Sequence, residues 1–132
     1  GTVMSNLGLE HALAELGIGF ERTDVGDRYV LARLEQQGWS LGGESSGHII
    51  CRDRTTTGDG IVAALQVLTE IVDTGKTLKE LRTGMSKYPQ DMINVPRPAG
   101  FDLDGSAAVA DAVSEAELRL SGNGRVLLRP SG

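Results

Sequence analysis

The chain has 132 residues, 39% of them hydrophobic and 23% charged, with a formal net charge of −5. That is the composition of a globular protein holding one core, or one core and part of a second. The acidic balance disfavours nucleic acid, which needs clustered Lys and Arg, and no apolar run approaches the roughly 18 residues of a membrane span, so neither is expected as a partner.

In chain order, Ser5 and Asn6 are good N-cap residues, and Leu9, Ala12, Leu13 and Leu16 then recur at helical spacing up to Gly17, which predicts a helix over about 6–17. His11 falls on the polar side of that helix and is expected to face solvent. Phe20–Val25 reads as a short strand. Gly26-Asp27 turns into a second helix with Val30, Leu31 and Leu34 on its apolar face, ended by Gly38. Trp39–Leu41 and His48–Cys51 read as short strands joined by the polar segment Gly42-Gly43-Glu44-Ser45-Ser46-Gly47.

A third helix runs from Asp59 to about Asp73, capped by Thr57 or Asp59. Ile61, Val62, Leu65, Val67, Leu68, Ile71 and Val72 make it apolar nearly all round, the mark of a helix buried on most sides. Thr77–Leu81 adds a helical turn. Pro89, Pro96 and Pro98 change the composition beyond Lys87, which places a boundary near 85–90 and divides the chain into 1–86 and 87–132. The second part is expected to hold a strand at Met92–Val95, a helix using Val109, Ala112, Val113 and Ala116, a Gly122-Asn123-Gly124 turn and a strand at Arg125–Leu128. Gly1-Thr2-Val3-Met4 has neither the basic stretch nor the apolar core of a signal peptide, and Cys51 is the single cysteine. A cytoplasmic setting is expected.

Gly43-Glu44-Ser45-Ser46-Gly47 formally matches the G-x-S-x-G elbow of serine hydrolases. An elbow needs a helix after its serine and a histidine downstream, whereas His48-Ile49-Ile50-Cys51 has strand character and no histidine follows His48. A metal site at His48, Cys51 and Asp53 fails on strand alternation, which puts His48 opposite the other two. Gly17-Ile18-Gly19 lacks both the preceding strand and the third glycine of a dinucleotide fingerprint. What remains is the Gly-Glu-Ser-Ser-Gly-His loop itself. It sets a carboxylate, hydroxyls and an imidazole between glycines that allow close backbone approach, a set suited to a polyhydroxylated ligand; composition alone reads equally as a surface turn.

Gly43-Glu44-x-Ser46-Gly47-His48 resembles the sugar-binding loop G-E-x-S-G-H of the phosphohexose mutase superfamily. It is joined by Gly1-Thr2-Val3-Met4-Ser5-Asn6-x-Gly8-Leu9, Val25-Gly26-Asp27-Arg28-Tyr29-Val30, Thr55-Thr56-Thr57-Gly58-Asp59-Gly60 and Arg125-Val126-Leu127-Leu128-Arg129-x-Ser131-Gly132. These blocks together are similar to the phosphoglucosamine mutase branch. The resemblance implies an α/β fold: a three-layer mixed-sheet third domain over 1–86, its first strand truncated, and an incomplete α+β C-terminal domain over 87–132. It implies Glu44, Ser46 and His48 as sugar contacts, Arg129 and Ser131 as part of a phosphate cradle, and Arg28 as a contact to phosphate or sugar. For Arg28 a solvated surface arginine is an equal reading.

The branch interconverts glucosamine 6-phosphate and glucosamine 1-phosphate through a phosphoserine and a bisphosphate intermediate, with Mg2+ held by an Asp-rich loop. Neither the serine loop nor the Asp-rich loop is found in this sequence. The expected partners are therefore a sugar phosphate and the remaining domains of the same enzyme, and this chain is expected to be inactive alone. A phosphomannomutase or phosphoglucomutase fragment, or a non-catalytic sugar-phosphate-binding module, is the alternative.

Overall fold

The computed structural model describes residues 1–130. It has an α/β arrangement of helices with a small sheet and divides into two units, Gly1–Tyr88 and a second beginning at Pro89.

The first unit begins with a crossover. Val3 N–H donates to the Thr23 carbonyl (2.8 Å) and Thr23 N–H to the Gly1 carbonyl (3.0 Å), which makes Thr2 and Thr23 a parallel bridge. Parallel pairing requires a connection that returns the chain in the same direction. Helix α1, Leu7–Glu15, lies within that connection and is capped by Asn6, whose side chain accepts from Gly8 N–H. Arg22 locks the return: Nη1 donates to the carbonyls of Thr2 (3.2 Å) and Ser5 (2.7 Å), and Nε and Nη2 donate to Glu10 Oε2. The strand expected over 20–25 is thus a single bridge, because pairing extends only where residues 1–3 run beside it.

Helix α2, Asp27–Gln37, starts at Gly26 and ends on Gly38. Strands β1, Leu41–Gly43, and β2, Ile49–Cys51, pair antiparallel with Gly42 opposite Ile50. The first strand lies two residues later than the sequence suggests, since Trp39 leaves the helix to pack against the core. That core is Val30, Leu34 and Ile50, with Leu31 and Trp39 against it. Val30 and Leu34 are four apart, on one stripe of α2, and they reach the hairpin because Gly42 has no side chain. A Cβ there would lie 2.6 Å from Val30 Cγ1 and 2.9 Å from Leu34 Cδ1.

Helix α3, Gly60–Thr74, is capped by Asp59, which accepts from Ile61 N–H (2.8 Å) and Val62 N–H (3.0 Å). This decides between the two caps the sequence allowed. The expected burial of α3 is not found: none of its residues is buried, and Ile61 and Val72 are 74% and 78% exposed. An apolar circumference says that a helix can be covered, not which residues cover it, and here α3 meets chiefly β2. Helix α4, Leu78–Leu81, opens with a Thr77/Glu80 capping box. Hydrogen bonds from Thr77 hold the Glu80 carboxyl below its ordinary pKa.

The unit closes on its own beginning. Asn6 Nδ2 donates to the Tyr88 carbonyl (2.9 Å) and Tyr88 N–H donates to Asn6 Oδ1 (3.0 Å), so one side-chain amide pairs with backbone as a strand would. His11 does not stand free in solvent. Its Nδ1 is 2.9 Å from the Tyr88 hydroxyl, and the rings meet edge to face.

In the second unit α5, Ala107–Leu120, half-buries Val109, Val113 and Ala116 on one face. Among the described residues 92–95 and 125–128 form no strand, and the one sheet is β1 with β2. No helix among the described residues is long and apolar enough to cross a membrane.

Two outcomes test this packing. Gly42→Ala is expected to destabilise the first unit by about 1–3 kcal/mol through overpacking against Val30 and Leu34, read as a lower denaturation midpoint. Asn6→Ala removes a helix cap and the Tyr88 pairing together. It is expected to cost about 1–2 kcal/mol and to accelerate amide exchange at Tyr88 selectively; an unchanged Tyr88 amide would refute the pairing.

Candidate sugar-phosphate site

The Gly-Glu-Ser-Ser-Gly-His segment is a hairpin tip. Glu44 N–H donates to the His48 carbonyl (2.9 Å), extending the β1–β2 ladder by one bond, and Gly47 N–H donates to the Glu44 carbonyl (3.0 Å). Ser45, Ser46 and Gly47 form the tip, and Gly47, at φ 93°, takes the positive-φ position that a three-residue hairpin loop requires. A strand, not a helix, follows the serines, which removes the nucleophile-elbow geometry.

This tip faces the turn at the start of α2. Gly26 N–H donates to Glu44 Oε1 at 2.9 Å. Gly26 has φ 132°, a backbone conformation that side chains rarely adopt, so the donor's direction depends on glycine at that position. One carboxylate oxygen of Glu44 is thereby fixed, while Oε2 has no hydrogen-bond partner among the described residues. Asp27, the first residue of α2, accepts from Arg28 N–H through Oδ1 (2.8 Å), and its Oδ2 lies 3.7 Å from His48 Nε2.

Between the hairpin tip and the turn lies an open cavity of about 440 Å3, lined by Thr2 and Met4, by Val25 to Asp27, and by Glu44, Ser45, Ser46 and His48. Its walls supply a fixed carboxylate, hydroxyls and an imidazole. Ser46 is exposed and Glu44 half-buried.

Three of the residues expected from the sequence, Glu44, Ser46 and His48, therefore meet around one cavity. Arg28 does not join them. Its Nη2 donates to the Tyr29 hydroxyl (2.7 Å), its guanidinium lies 4.6 Å from the Tyr29 ring centre, and it is absent from the cavity wall. Arg129 is exposed in the second unit, and Ser131 lies outside the described residues. The sequence reading overlooked Gly26 as the donor that holds Glu44, and Thr2 and Met4 as walls. The signal available was the Val-Gly-Asp turn before a helix, whose backbone N–H groups point away from the helix end.

Residues 1–88 match the family described as "Phosphoglucomutase/phosphomannomutase, alpha/beta/alpha domain III", and residues 92–132 match "Phosphoglucomutase/phosphomannomutase, C-terminal domain". Proteins named phosphoglucosamine mutase from Nitrosococcus oceani, Halorhodospira halophila and Thiobacillus denitrificans are 63%, 64% and 58% identical to the chain over 132 residues. Each comparison covers 100% of this chain and 29% of the relative, so the chain spans under a third of the length of these curated relatives. With the domain III match running through the hairpin, the turn and the cavity between them, the chain belongs to the phosphoglucomutase/phosphomannomutase family.

Proposed function

We propose that the chain is the sugar-recognition part of a phosphoglucosamine mutase, which interconverts glucosamine 6-phosphate and glucosamine 1-phosphate. The observation that carries this reading is the convergence of Glu44, Ser46 and His48 with the Gly26 turn around one cavity. The names of the relatives favour glucosamine over mannose or glucose as the sugar.

In this reading, a phosphoserine outside these residues gives its phosphoryl group to one sugar oxygen, forming glucosamine 1,6-bisphosphate. After the intermediate turns round, the serine takes back the phosphoryl group on the other oxygen, so the sugar's phosphate changes place and the enzyme is restored. This chain's share is positioning. Glu44 accepts hydrogen bonds from sugar hydroxyls, Ser46 donates or accepts, and His48 binds a hydroxyl or phosphate oxygen.

The domain limits proposed are 1–86 for sugar binding and 87–132 for a phosphate-binding part containing Arg129 and Ser131. Arg28 joins the site only by leaving its Tyr29 stack. Magnesium would offset charge on the transferring group. In this reading its ligands belong to an Asp-rich loop in another domain of the enzyme. A cytoplasmic setting accords with a sugar-phosphate substrate and with Cys51 as a buried free thiol.

The test is a chimera in which this chain replaces the matching 132 residues of the Halorhodospira halophila relative. The chimera is expected to interconvert the two glucosamine phosphates, whereas the 132-residue chain alone gives no turnover. A folded but silent chimera would sink the assignment, and turnover by the isolated chain would sink its reading as a positioning part. Within the chimera, Glu44→Ala is expected to lower kcat/KM by roughly two orders of magnitude or more, from the loss of two charge-assisted hydrogen bonds of about 1.5–3 kcal/mol each. Glu44→Gln keeps an oxygen for Gly26 N–H, so a comparable fall there would separate sugar binding from loop geometry. Phosphoserine occupancy, read by mass spectrometry, should stay unchanged in both variants.

A further inference from the structure

We propose that Asp27 is a positioning residue that fixes the tautomer of His48, holding the proton on Nε2 and leaving Nδ1 as the acceptor turned to the ligand. The inference deepens the sugar-phosphate reading of the cavity and takes its purpose from it. His48 Nε2 is buried and has no hydrogen-bond partner among the described residues, although the side chain as a whole is 36% exposed. The exposure therefore belongs to another edge of the ring.

Gly58 determines which edge. Ile50 and Gly58 form an antiparallel bridge that brings the Gly58 backbone beneath the imidazole. A Cβ at position 58 would lie 1.9 Å from Nε2, 2.3 Å from Cδ2 and 2.8 Å from Cε1. The Nε2 end of the ring is thus laid on a glycine, and Nδ1 is the nitrogen left away from it. In this proposal a hydroxyl in the cavity meets Nδ1, because Nε2 is buried against Gly58.

A buried ring nitrogen needs a partner, and among the described residues the carboxylate within ion-pair range of it is that of Asp27, with Oδ2 at 3.7 Å. That is longer than a hydrogen bond, and the proposal has the carboxylate turn to close it, as site hydrogen bonds that are long without ligand tighten when it binds. Asp27 suits the role because its other oxygen is tied to Arg28 N–H, leaving Oδ2 as the uncommitted atom. The Arg28 guanidinium is turned onto Tyr29 and does not claim it. A carboxylate that accepts from Nε2–H makes Nδ1 a lone-pair acceptor, and the interaction then available at the cavity is a hydrogen bond accepted at Nδ1 from a ligand hydroxyl.

The chain has two histidines, His11 and His48, so long-range 1H–15N correlation spectra of the labelled protein can be assigned with a single His11→Gln control. In alkaline buffer, His48 is expected in one tautomer, protonated on Nε2. In Asp27→Ala it should become a mixture, and in Asp27→Asn the Nδ1–H form should gain, because the amide can donate to Nε2. A wild-type His48 that is mixed or protonated on Nδ1, or that is unmoved by either substitution in a protein whose backbone spectrum remains folded, overturns the proposal. Should a variant fail to fold, the wild-type tautomer alone decides. A second arm adds glucosamine 6-phosphate to the chimera: a shift at Nδ1 larger than at Nε2 is expected. A fixed, Asp27-dependent tautomer with no response to the sugar phosphate would uphold the Asp27 assignment and overturn the substrate reading.

Discussion

The first unit depends on a side chain that is missing. Helix α2 can lie across the hairpin only because position 42 carries no Cβ, and the buried apolar cluster of Val30, Leu34 and Ile50 meets over that gap. So small a core leaves little redundancy, and close packing of this kind makes α2 and the hairpin one body. The functional geometry follows directly. The N-terminal turn of α2 and the tip of the hairpin are the two walls of the cavity, and their spacing is set by the helix resting on the strand.

Hydrogen bonds then refine what packing brings near. Gly26 N–H reaches Glu44, while the Asn6 amide joins the start of α1 to Tyr88, a pairing that spans nearly the whole unit in sequence. Arg22 contributes in the same way, with one guanidinium serving two carbonyls and a carboxylate that would otherwise compete for other donors. The unit is held by a few polar clasps of long sequence separation around a small apolar centre, so each clasp matters more than it would in a protein with a broad core.

How much of this was legible in the sequence divides along the range of the interaction. The caps Asn6, Asp59 and Thr77 and the stops at Gly38 and Gly75 are local, and the helices they bound could be read within a residue or two. The hairpin loop was readable because its residues are consecutive. The donor to Glu44 sits eighteen residues earlier, and no periodicity links the two positions. The surroundings of α3 were misread for the same reason: its sequence records a capacity for burial, and burial is a property of whatever packs on it. His11 was placed in solvent by helical pitch, which cannot foresee a tyrosine 77 positions away. Arg28 was read from its place beside a turn, but rotamer choice sends it onto the neighbouring Tyr29 ring.

The way Glu44 is held bears on what it can bind. Among the described residues no cationic side chain pairs with it, and its fixed partner is a neutral backbone amide. An arginine in that place would orient the carboxylate equally well but would occupy both oxygens and offset the charge that makes its hydrogen bonds strong. A single amide orients the group through one oxygen and, in the proposed reading, leaves the charge and the second oxygen to the sugar. The rotamer freedom of a glutamate is given up on folding instead of on binding, which favours affinity for a ligand that offers two adjacent hydroxyl donors. Recognition by an anchored but uncompensated carboxylate also discriminates: a ligand without hydroxyls at that spacing would leave a charged oxygen desolvated and unpaired, a penalty that a neutral side chain would not impose.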